Sequence, residues 1–300
     1  MHNNEIENLI HLHVDGAFSR RELIDRLVKY TGSVAAAVAA VESSGMLQAQ
    51  TQACPAGVQV PEDAPGIHAS TVTLHGEGGP LFAYLVLPTD LQLPRPAVLV
   101  IHENRGLNDH IKDVTRRVAK AGFVALGIDL LSRQGGTDRF TTPTDQTAAY
   151  NRTSVAERRQ DMISAILTLK DQAYVVGDRL GAVGFCAGGA NCIDLAINSR
   201  DLTASVVFYG NVPNPADPLQ NISSAMLGLF GERDRNLNTG IPRLLTALQA
   251  GQRTYSMHIY EGANHAFHND TGANYHAAAA CDAWSKTIEF FGRHLDAPRV

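Results

Sequence analysis

Residues 184–188 read Gly184-Phe185-Cys186-Ala187-Gly188. The apolar run at 180–185 predicts a strand, and residues 187–198 predict a helix directly after the cysteine. A sharp turn from strand to helix leaves little room for side chains two positions either side of its apex, which accounts for the two glycines. We therefore expect Cys186 at the apex of a nucleophile elbow, in the position that serine usually occupies.

Such a turn would give Cys186 the properties of a nucleophile. It lifts the sulfur clear of the sheet, and the positive end of the following helix favours a thiolate. The backbone N–H of Ala187 points toward the same space and could donate to an oxyanion. The alternative is that Cys186 is a small buried apolar residue, the common state of a free cysteine. We expect that state for Cys192 and Cys281, which lie in predicted helices.

Apolar strand-like runs alternate with helical patterns on both sides of the elbow. This alternation predicts a mostly parallel sheet with helices on both faces, in which ligand sites lie at the carboxyl ends of the strands. Residues 132–152 are polar and irregular, and they predict a loop. The predicted strands are 70–75, 81–87, 97–102, 122–128, 180–185, 204–209, 225–230 and 254–260, and the predicted helices are 109–121, 155–169, 187–198, 241–250 and 274–294.

Two further segments offer the partners that a thiol nucleophile requires, a base and an acid that orients the base. The sequence Gly231-Glu232-Arg233-Asp234 follows the strand 225–230, and Asp234 is the natural acid with Glu232 as the alternative. His265 follows the strand that ends at residue 260 and is the natural base. The chain order nucleophile, acid, histidine is the order of the α/β-hydrolases.

A fourth segment completes a family pattern. HENRGL at 102–107, GFCAGG at 184–189, GERD at 231–234 and NHAFHND at 264–270 together resemble the dienelactone hydrolases (carboxymethylenebutenolidases) over residues 70–295. The resemblance implies an α/β-hydrolase fold and the hydrolysis of small carboxylic esters or lactones without a metal or organic cofactor.

The resemblance also implies roles for individual residues. Cys186 attacks the carbonyl carbon, His265 acts as base and then as acid, and Asp234 orients His265. Glu103 corresponds to a carboxylate that contacts the resting thiol and helps to form the thiolate when substrate binds. The backbone N–H groups of Ala187 and Asn104 hold the oxyanion.

The substrate pocket is less well defined by the sequence. Arg105, Phe185 and His268 are the candidate pocket residues, and Arg105 is a candidate partner for Glu103. The family holds the carboxylate of dienelactone with arginines, one of them four residues after the histidine, where this chain has Asn269. The departure leaves ester or lactone hydrolysis as the expectation and puts dienelactone itself in question.

The N-terminal region permits two interpretations. Residues 1–55 form either a helical appendage, with a capping box at Ser19 and Glu22, or a degenerate twin-arginine-like leader centred on residues 19–24. The appendage favours a cytoplasmic protein, and the leader would direct it to the periplasm. Residues 56–69, rich in proline and glycine, predict a linker, and residues 70–300 the catalytic domain.

Composition restricts the partners. The net charge of −5 gives no reason to expect nucleic acid, and no apolar run reaches the length of a membrane span. The four cysteines show no metal-like spacing with histidine, and their even number permits disulfides without arguing for them. We expect a small-molecule ester or lactone as the partner of a monomer or homodimer. The alternative is a catalytically idle α/β-hydrolase fold that acts as a binding or redox-responsive thiol protein.

Overall fold

A mixed eight-stranded sheet forms the centre of the part of the chain that the computed structural model describes, residues 26–29, 33, 54, 56–90 and 92–295. The strand order is β1-β2-β4-β3-β5-β6-β7-β8. The strands are β1 (Ile67–Gly76), β2 (Gly79–Pro88), β3 (Arg95–Ile101), β4 (Val124–Ile128), β5 (Val175–Phe185), β6 (Leu202–Phe208), β7 (Ala225–Gly231) and β8 (Tyr255–Tyr260).

The sheet has the predicted, mostly parallel arrangement. Strand β2 runs antiparallel to both of its neighbours, β1 and β4, and the pairs from β4 through β3 to β8 are parallel. The central strands are buried on both faces, as their uninterrupted apolar runs require, whereas β1 alternates between buried and exposed residues at the edge. The carboxyl ends of β3, β5, β7 and β8 therefore lie along one rim of the sheet.

Helices cover both faces, as predicted. Apolar residues of α1 and α7 pack on one face of the sheet, and those of α3, α4 and α6 pack on the other. The helices are α1 (Asp109–Lys120), α2 (Pro143–Arg152), α3 (Val155–Lys170), α4 (Ala187–Asn198), α5 (Arg235–Asn238), α6 (Ile241–Ala250) and α7 (Ala277–Leu295).

The predicted loop at 132–152 is wrong in its second half. The segment contains two 3-10 turns, Ser132–Gln134 and Thr137–Arg139, and then the helix α2. Thr142 caps α2 by accepting a hydrogen bond from the backbone N–H of Asp145, and Pro143 supplies the first helical position. The helix buries only Ala149 and Tyr150, so its sequence lacks the apolar periodicity that would have predicted it.

The first strand begins three residues earlier than the predicted start at residue 70. Strand β1 begins at Ile67, which is buried and pairs with Pro88. Gly66, the residue directly before β1, has a φ of 84°. Most other residues avoid that backbone conformation, which accounts for the glycine at this position.

Most of the predicted N-terminal appendage or leader lies outside the described residues. Residues 26–29 are helical, and Leu27 is fully buried. Across the described part of the chain, no helix combines the length and apolar character needed to cross a membrane.

The expectation of a buried free thiol is wrong for Cys281 and confirmed for Cys192. Cys281 forms a disulfide with Cys54, with 5.2 Å between the Cα atoms, across a sequence separation of 227 residues. No local pattern around either cysteine marks a pairing at that separation. Cys192 is free and fully buried in α4, and burial raises the pKa of its thiol to about 12.

Shortly after Cys54, residues 56–60 form a segment that we call the strap. The backbone N–H groups of Gln59 and Val60 donate to the carboxylate of Asp113 on α1, at 3.1 and 2.8 Å. The carbonyl of Cys54 accepts a hydrogen bond of 2.7 Å from the hydroxyl of Tyr275. The strap therefore ties the start of the described domain to α1 and to the segment before α7.

We predict that breaking the disulfide destabilises the domain. Cys281→Ser should lower the free energy of unfolding by about 2–4 kcal/mol, because the unfolded chain regains the entropy that the cross-link removes. The measurement is denaturant unfolding with and without dithiothreitol. The Cys192→Ser variant is the matched control and should retain the dithiothreitol effect, whereas Cys281→Ser should lose it. Equal stability of Cys281→Ser and wild type would contradict the prediction.

Candidate active site

The turn between β5 and α4 has the geometry of a nucleophile elbow. Cys186 has a φ of 55° and a ψ of −115°, a conformation that residues with a side chain rarely adopt. A Cβ atom on Gly184 would lie 2.0 Å from the carbonyl oxygen of Gly188, and one on Gly188 would lie 2.2 Å from that of Ile101. Both contacts are impossible for any other residue, so the close approach of backbone to backbone requires the two glycines.

A chain of three polar side chains begins at the elbow. His265 Nε2 lies 3.0 Å from Cys186 Sγ, and His265 Nδ1 lies 2.5 Å from Asp234 Oδ2. Asp234 lies three residues after the end of β7, at the N-cap position of the short helix α5, while His265 lies in the loop between β8 and α7. The structure thus brings together the cysteine, histidine and aspartate that the sequence places 79 and 31 residues apart.

The structure distinguishes the two acids that the sequence left open. Asp234 contacts the His265 ring, whereas Glu232 accepts a hydrogen bond of 2.9 Å from the backbone N–H of Gly262. Glu232 therefore anchors the start of the loop that carries His265. We call residues 261–276 the histidine loop.

The contacts of His265 favour its protonated form. Its hydrogen bond to Cys186 contributes most, burial opposes it, and the charges of Cys186 and Asp234 add to it, so the pKa of His265 rises to about 9. An imidazolium beside a sulfur atom at this distance is the arrangement of a thiolate–imidazolium pair.

Glu103 lies at the rim, just past β3, but its contact differs from the one that the family resemblance implied. The resting thiol pairs with His265, whereas Glu103 Oε2 accepts a hydrogen bond of 3.1 Å from Asn269 Nδ2. Glu103 Oε1 is buried and has no hydrogen-bond partner among the described residues. The expected hydrogen bond between Glu103 and the resting thiol is therefore not observed among the described contacts. The side-chain amide of Asn269 donates to the Glu103 carboxylate instead.

His102 fixes the backbone on which Glu103 stands, a role that the sequence reasoning missed. Its Nε2 accepts a hydrogen bond of 2.9 Å from the backbone N–H of Leu130, so its Nδ1 carries the proton and donates to the carbonyl of Glu103. Full burial lowers the pKa of His102, which keeps the ring neutral. The histidine directly before Glu103 in the HENRGL motif was the available signal.

The loop after Glu103 is held in place by Thr137, which belongs to the segment 132–152 that the sequence predicted to be a loop. Thr137 Oγ1 accepts a hydrogen bond of 2.8 Å from the backbone N–H of Leu107 and donates one of 2.8 Å to Asp129. Gly106 has a φ of 81°, and a Cβ atom there would lie 2.0 Å from Thr137 Oγ1. These contacts fix the loop that carries Asn104.

The two predicted oxyanion donors are the backbone N–H groups of Ala187 and Asn104. Ala187 is the first residue of α4, so its N–H has no carbonyl acceptor within the helix. Asn104 lines the cleft together with Cys186. The expectation that both N–H groups face the oxyanion remains a proposal.

The cleft above Cys186 has a volume of about 300 Å³. Arg105 lines it, as predicted, and is exposed, with no contact to Glu103 among its described interactions. The cleft is lined by Glu103, Asn104, Arg105, Cys186, His265, Ala266 and Asn269, with residues 272–274 along one side.

Phe185 and His268 do not line the cleft, which corrects two predicted pocket residues. Phe185 is fully buried and stacks on Phe208, with 4.6 Å between ring centroids, because successive strand residues point to opposite sides. His268 follows a tight turn at Ala266, where φ is 61°, and its ring lies in the interior against Trp284. Burial lowers the pKa of His268 well below its ordinary value.

A buried ion network, which the sequence reasoning also missed, fixes the far side of the histidine loop. Asp270 accepts a hydrogen bond of 2.9 Å from His110 Nδ1 and pairs with Arg117 at 2.5 Å. Although burial opposes it, the hydrogen bond from His110 and the charge of Arg117 lower the pKa of Asp270 to about 2. Gln59 of the strap donates to the same carboxylate at 3.1 Å, so the strap and the histidine loop share one anchor.

Comparisons with known proteins identify similar sequences and folds. The model of the dienelactone hydrolase family matches residues 81–295. A putative carboxymethylenebutenolidase of Saccharolobus solfataricus is 31% identical over 249 residues, which cover 72% of this chain and 95% of the relative. A probable 2-oxo-3-(5-oxofuran-2-ylidene)propanoate lactonase of Bradyrhizobium is 33% identical over 242 residues, covering 76% of this chain and 96% of the relative.

A solved structure agrees with these sequence relatives. The crystal structure of a putative dienelactone hydrolase from Klebsiella pneumoniae superposes with a TM-score of 0.70 at 26% identity, covering 76% of this chain and 99% of that one. The similarity confirms the predicted α/β-hydrolase fold and the family resemblance.

We predict that the high pKa of His265 depends on Cys186. Replacing Cys186 by alanine should lower the titration midpoint of His265 from about 9, since the hydrogen bond to sulfur is the largest contribution that raises it. Histidine NMR measures the midpoint, with the His265 signal assigned by its loss in His265→Gln. Cys192→Ala is the control and should leave the midpoint in place. An unchanged midpoint in Cys186→Ala would show that the sulfur does not set it.

Proposed function

Since the chain belongs to the dienelactone hydrolase family, we propose that it hydrolyses small carboxylic esters or lactones, with Cys186 as the nucleophile. The observation that carries the proposal is the continuous contact from Cys186 through His265 to Asp234 at the floor of an open cleft. A nucleophile, a base within hydrogen-bond distance and a third group that orients the base are the parts of a covalent acyl-transfer mechanism.

Acylation begins with attack of the Cys186 thiolate on the ester or lactone carbonyl carbon. The electron pair of the carbonyl bond moves to oxygen, and the backbone N–H groups of Ala187 and Asn104 stabilise the resulting oxyanion. As the carbonyl reforms, the bond to the leaving oxygen breaks, and that oxygen takes the proton from His265 Nε2. The products are a thioester on Cys186 and an alcohol, which for a lactone remains attached to the acyl group.

Deacylation reverses the roles with water. Neutral His265 takes a proton from water while the water oxygen attacks the thioester carbon. Collapse of the second tetrahedral intermediate breaks the carbon–sulfur bond and returns the thiolate beside the protonated His265. Asp234 stabilises the imidazolium in both halves of the reaction and fixes the orientation of the ring.

The cleft limits the substrate to small molecules. A volume of about 300 Å³ is at the lower end of small-molecule sites. The Bradyrhizobium relative is named for a lactone with a five-membered ring, a substrate of suitable size. Asn269, which stands where the family resemblance expects an arginine, engages Glu103, so we propose that turnover does not depend on a substrate carboxylate at that position.

The disulfide helps to choose between the cytoplasm and the periplasm as the location of the protein. Disulfides persist in oxidising compartments and are rare in the cytosol, so the bond between Cys54 and Cys281 favours the periplasmic alternative over the cytoplasmic one. We propose that the catalytic domain comprises residues 67–295 together with the strap at residues 56–60. Alkylation of freshly isolated, denatured protein should label two cysteines before reduction and four after it.

We predict that activity requires the three contacting side chains. Cys186→Ala and His265→Ala should each lower kcat/KM for short p-nitrophenyl esters by at least about a thousandfold, because the nucleophile and its base act as one unit. Asp234→Asn should cost less, since it removes an orienting charge. Steady-state kinetics on p-nitrophenyl esters and on dienelactone measure these effects.

The matched control is Glu232→Gln, which changes a nearby carboxylate and keeps an acceptor for Gly262. Its kcat/KM should stay within about tenfold of wild type, a small effect on the transition state. Undiminished turnover by Cys186→Ala would contradict the proposal that Cys186 is the nucleophile. A complete lack of turnover by wild type on an ester and lactone panel would favour the idle thiol protein.

A further inference from the structure

We propose that two copies of this chain associate through strand β8, whose outer edge pairs antiparallel with the same edge of the second copy. β8 is the last strand of the sheet, and within the described part of the chain it pairs only with β7. The edge opposite β7 therefore presents backbone N–H and C=O groups to which a further strand can bond. The proposal concerns assembly and does not depend on the proposed function.

The hydrogen bonds to β7 show which residues of β8 face outward. The N–H of Met226 donates to the carbonyl of Thr254, and the N–H of Glu232 donates to that of Tyr260, so the even-numbered residues bond to β7. Along a strand, successive residues direct their backbone groups to opposite sides. The residues that direct theirs away from β7 are Tyr255, Met257 and Ile259.

The side chains of β8 are suited to contact with another protein chain. The strand has no acidic or basic Asp, Glu, Lys or Arg residue, and Ile259 has 54% of its surface exposed. Among the described strands, no other large apolar side chain is exposed. The opposite edge of the sheet, β1, exposes polar side chains instead, namely those of His68, Thr71, Thr73 and His75. An apolar edge without charges is one that proteins normally protect by pairing or covering it, which favours β8 as the interface.

Helices on both faces of the sheet hold β8 in place. Gln249 Nε2 on α6 donates a hydrogen bond of 2.8 Å to the hydroxyl of Tyr255, and the hydroxyl of Tyr260 donates one of 2.9 Å to Asp282 on α7. Because the strand is already fixed, pairing through its outer edge costs little further conformational freedom.

Charges at the two ends of β8 select one register. Arg253 lies four residues before Met257, and Glu261 lies four residues after it. In an antiparallel pair centred on Met257, residues at equal distances from the centre stand opposite each other, so Arg253 of each copy faces Glu261 of the other. Both pairs form together, because a two-fold axis relates the copies. Opposite charges in facing positions stabilise such a pair of strands.

The same register also suits the residues between the two ends. It places Met257 opposite Met257 of the second copy and Tyr255 opposite Ile259, so outward-facing backbone groups meet outward-facing ones. An aromatic residue opposite a β-branched one is a stabilising cross-strand pair. A shift by one residue would set outward-facing groups against inward-facing ones, and a shift by two would place an uncharged residue opposite Arg253.

Within one copy, Arg253 and Glu261 are too far apart to neutralise each other. Eight residues of extended strand separate them by roughly 26 Å, at about 3.3 Å per residue. Neither residue forms an ion pair with another described residue. Arg253 Nε is also buried without a hydrogen-bond partner in the described structure. The second copy supplies the opposite charge that each residue lacks in its own chain.

The helices beside β8 bring no excess of like charge to the interface. In α6, no charged residue follows Arg243. On α7, Asp282 pairs with Lys286 at 3.4 Å, and Glu289 pairs with Arg293 at 2.8 Å. The charges of both helices are therefore compatible with two copies lying side by side.

The test is charge reversal in the full chain, with the mass measured by analytical ultracentrifugation over a dilution series in the micromolar range. Wild type should form a dimer that dissociates on dilution. Arg253→Glu and Glu261→Arg each set like charges opposite each other at both ends of the interface. Each variant should therefore raise the dissociation constant of the dimer on the order of tenfold.

Mixing the two single variants gives a result that a change in fold would not produce. In the mixed dimer, the two acidic residues of one copy face the two basic residues of the other. An equimolar mixture should therefore form dimers with a dissociation constant close to that of wild type. The double variant Arg253→Glu/Glu261→Arg should likewise dimerise with itself.

Two further variants test the location of the interface. Ile259→Lys places a charge on the edge and removes the contact with Tyr255, so it should stay monomeric where wild type is dimeric. Arg152→Glu is the matched control, the same charge reversal on an exposed residue at the end of α2, and it should associate as wild type does. Circular dichroism verifies the fold of each variant.

Several outcomes would overturn the proposed pairing. They are a wild type that is monomeric throughout the series, a dimer that Ile259→Lys leaves intact, single reversals that dimerise as tightly as wild type, and single reversals that stay monomeric when mixed. Ester turnover by Cys186→Ala tests the proposed function separately, because the assembly does not involve Cys186.

Discussion

The close approach of the backbone at Gly184 and Gly188 is the constraint on which the site depends. Only glycine permits a separation at which a Cβ atom would lie 2.0 Å from a carbonyl oxygen, and the resulting turn forces Cys186 to a φ of 55°. Such a conformation costs on the order of 1–3 kcal/mol, and the fully buried end of β5 and the body of α4 hold it in place. The thiol consequently stands at one fixed point above the rim of the sheet.

The parallel strands bring the other groups to that point. Strands β3, β7 and β8 end at the same rim as β5, so the loops that follow them converge on Cys186. Each loop is then fixed by motif residues other than Cys186, Asp234 and His265: His102 holds the Glu103 loop, Glu232 holds the start of the histidine loop, and Asp270 holds its far side. Gln59 of the strap donates a hydrogen bond to the same Asp270 carboxylate, so the strap contributes to that anchor.

The sequence was sufficient for the features that depend on local pattern and chain order. Alternating strand and helix signals predicted the sheet, and the elbow motif located Cys186, after which chain order located Asp234 and His265. Prediction from the sequence failed for features that depend on contacts between distant segments of the chain. The partner of Cys281 is 227 residues away, and the contact of Glu103 depends on an asparagine in another loop. Phe185 was wrongly predicted to line the pocket. Its side chain is buried in the core, on the side opposite to the one on which the neighbouring Cys186 faces the cleft.

The central claim is that Cys186 becomes covalently acylated, and mass spectrometry of the acid-quenched reaction tests it most directly. With a slowly hydrolysed ester, wild-type protein should gain the mass of the acyl group, and the peptide that contains Cys186 should carry it as a thioester that hydroxylamine removes. The same mass on another residue, or turnover by Cys186→Ala without any acylated protein, would contradict the account.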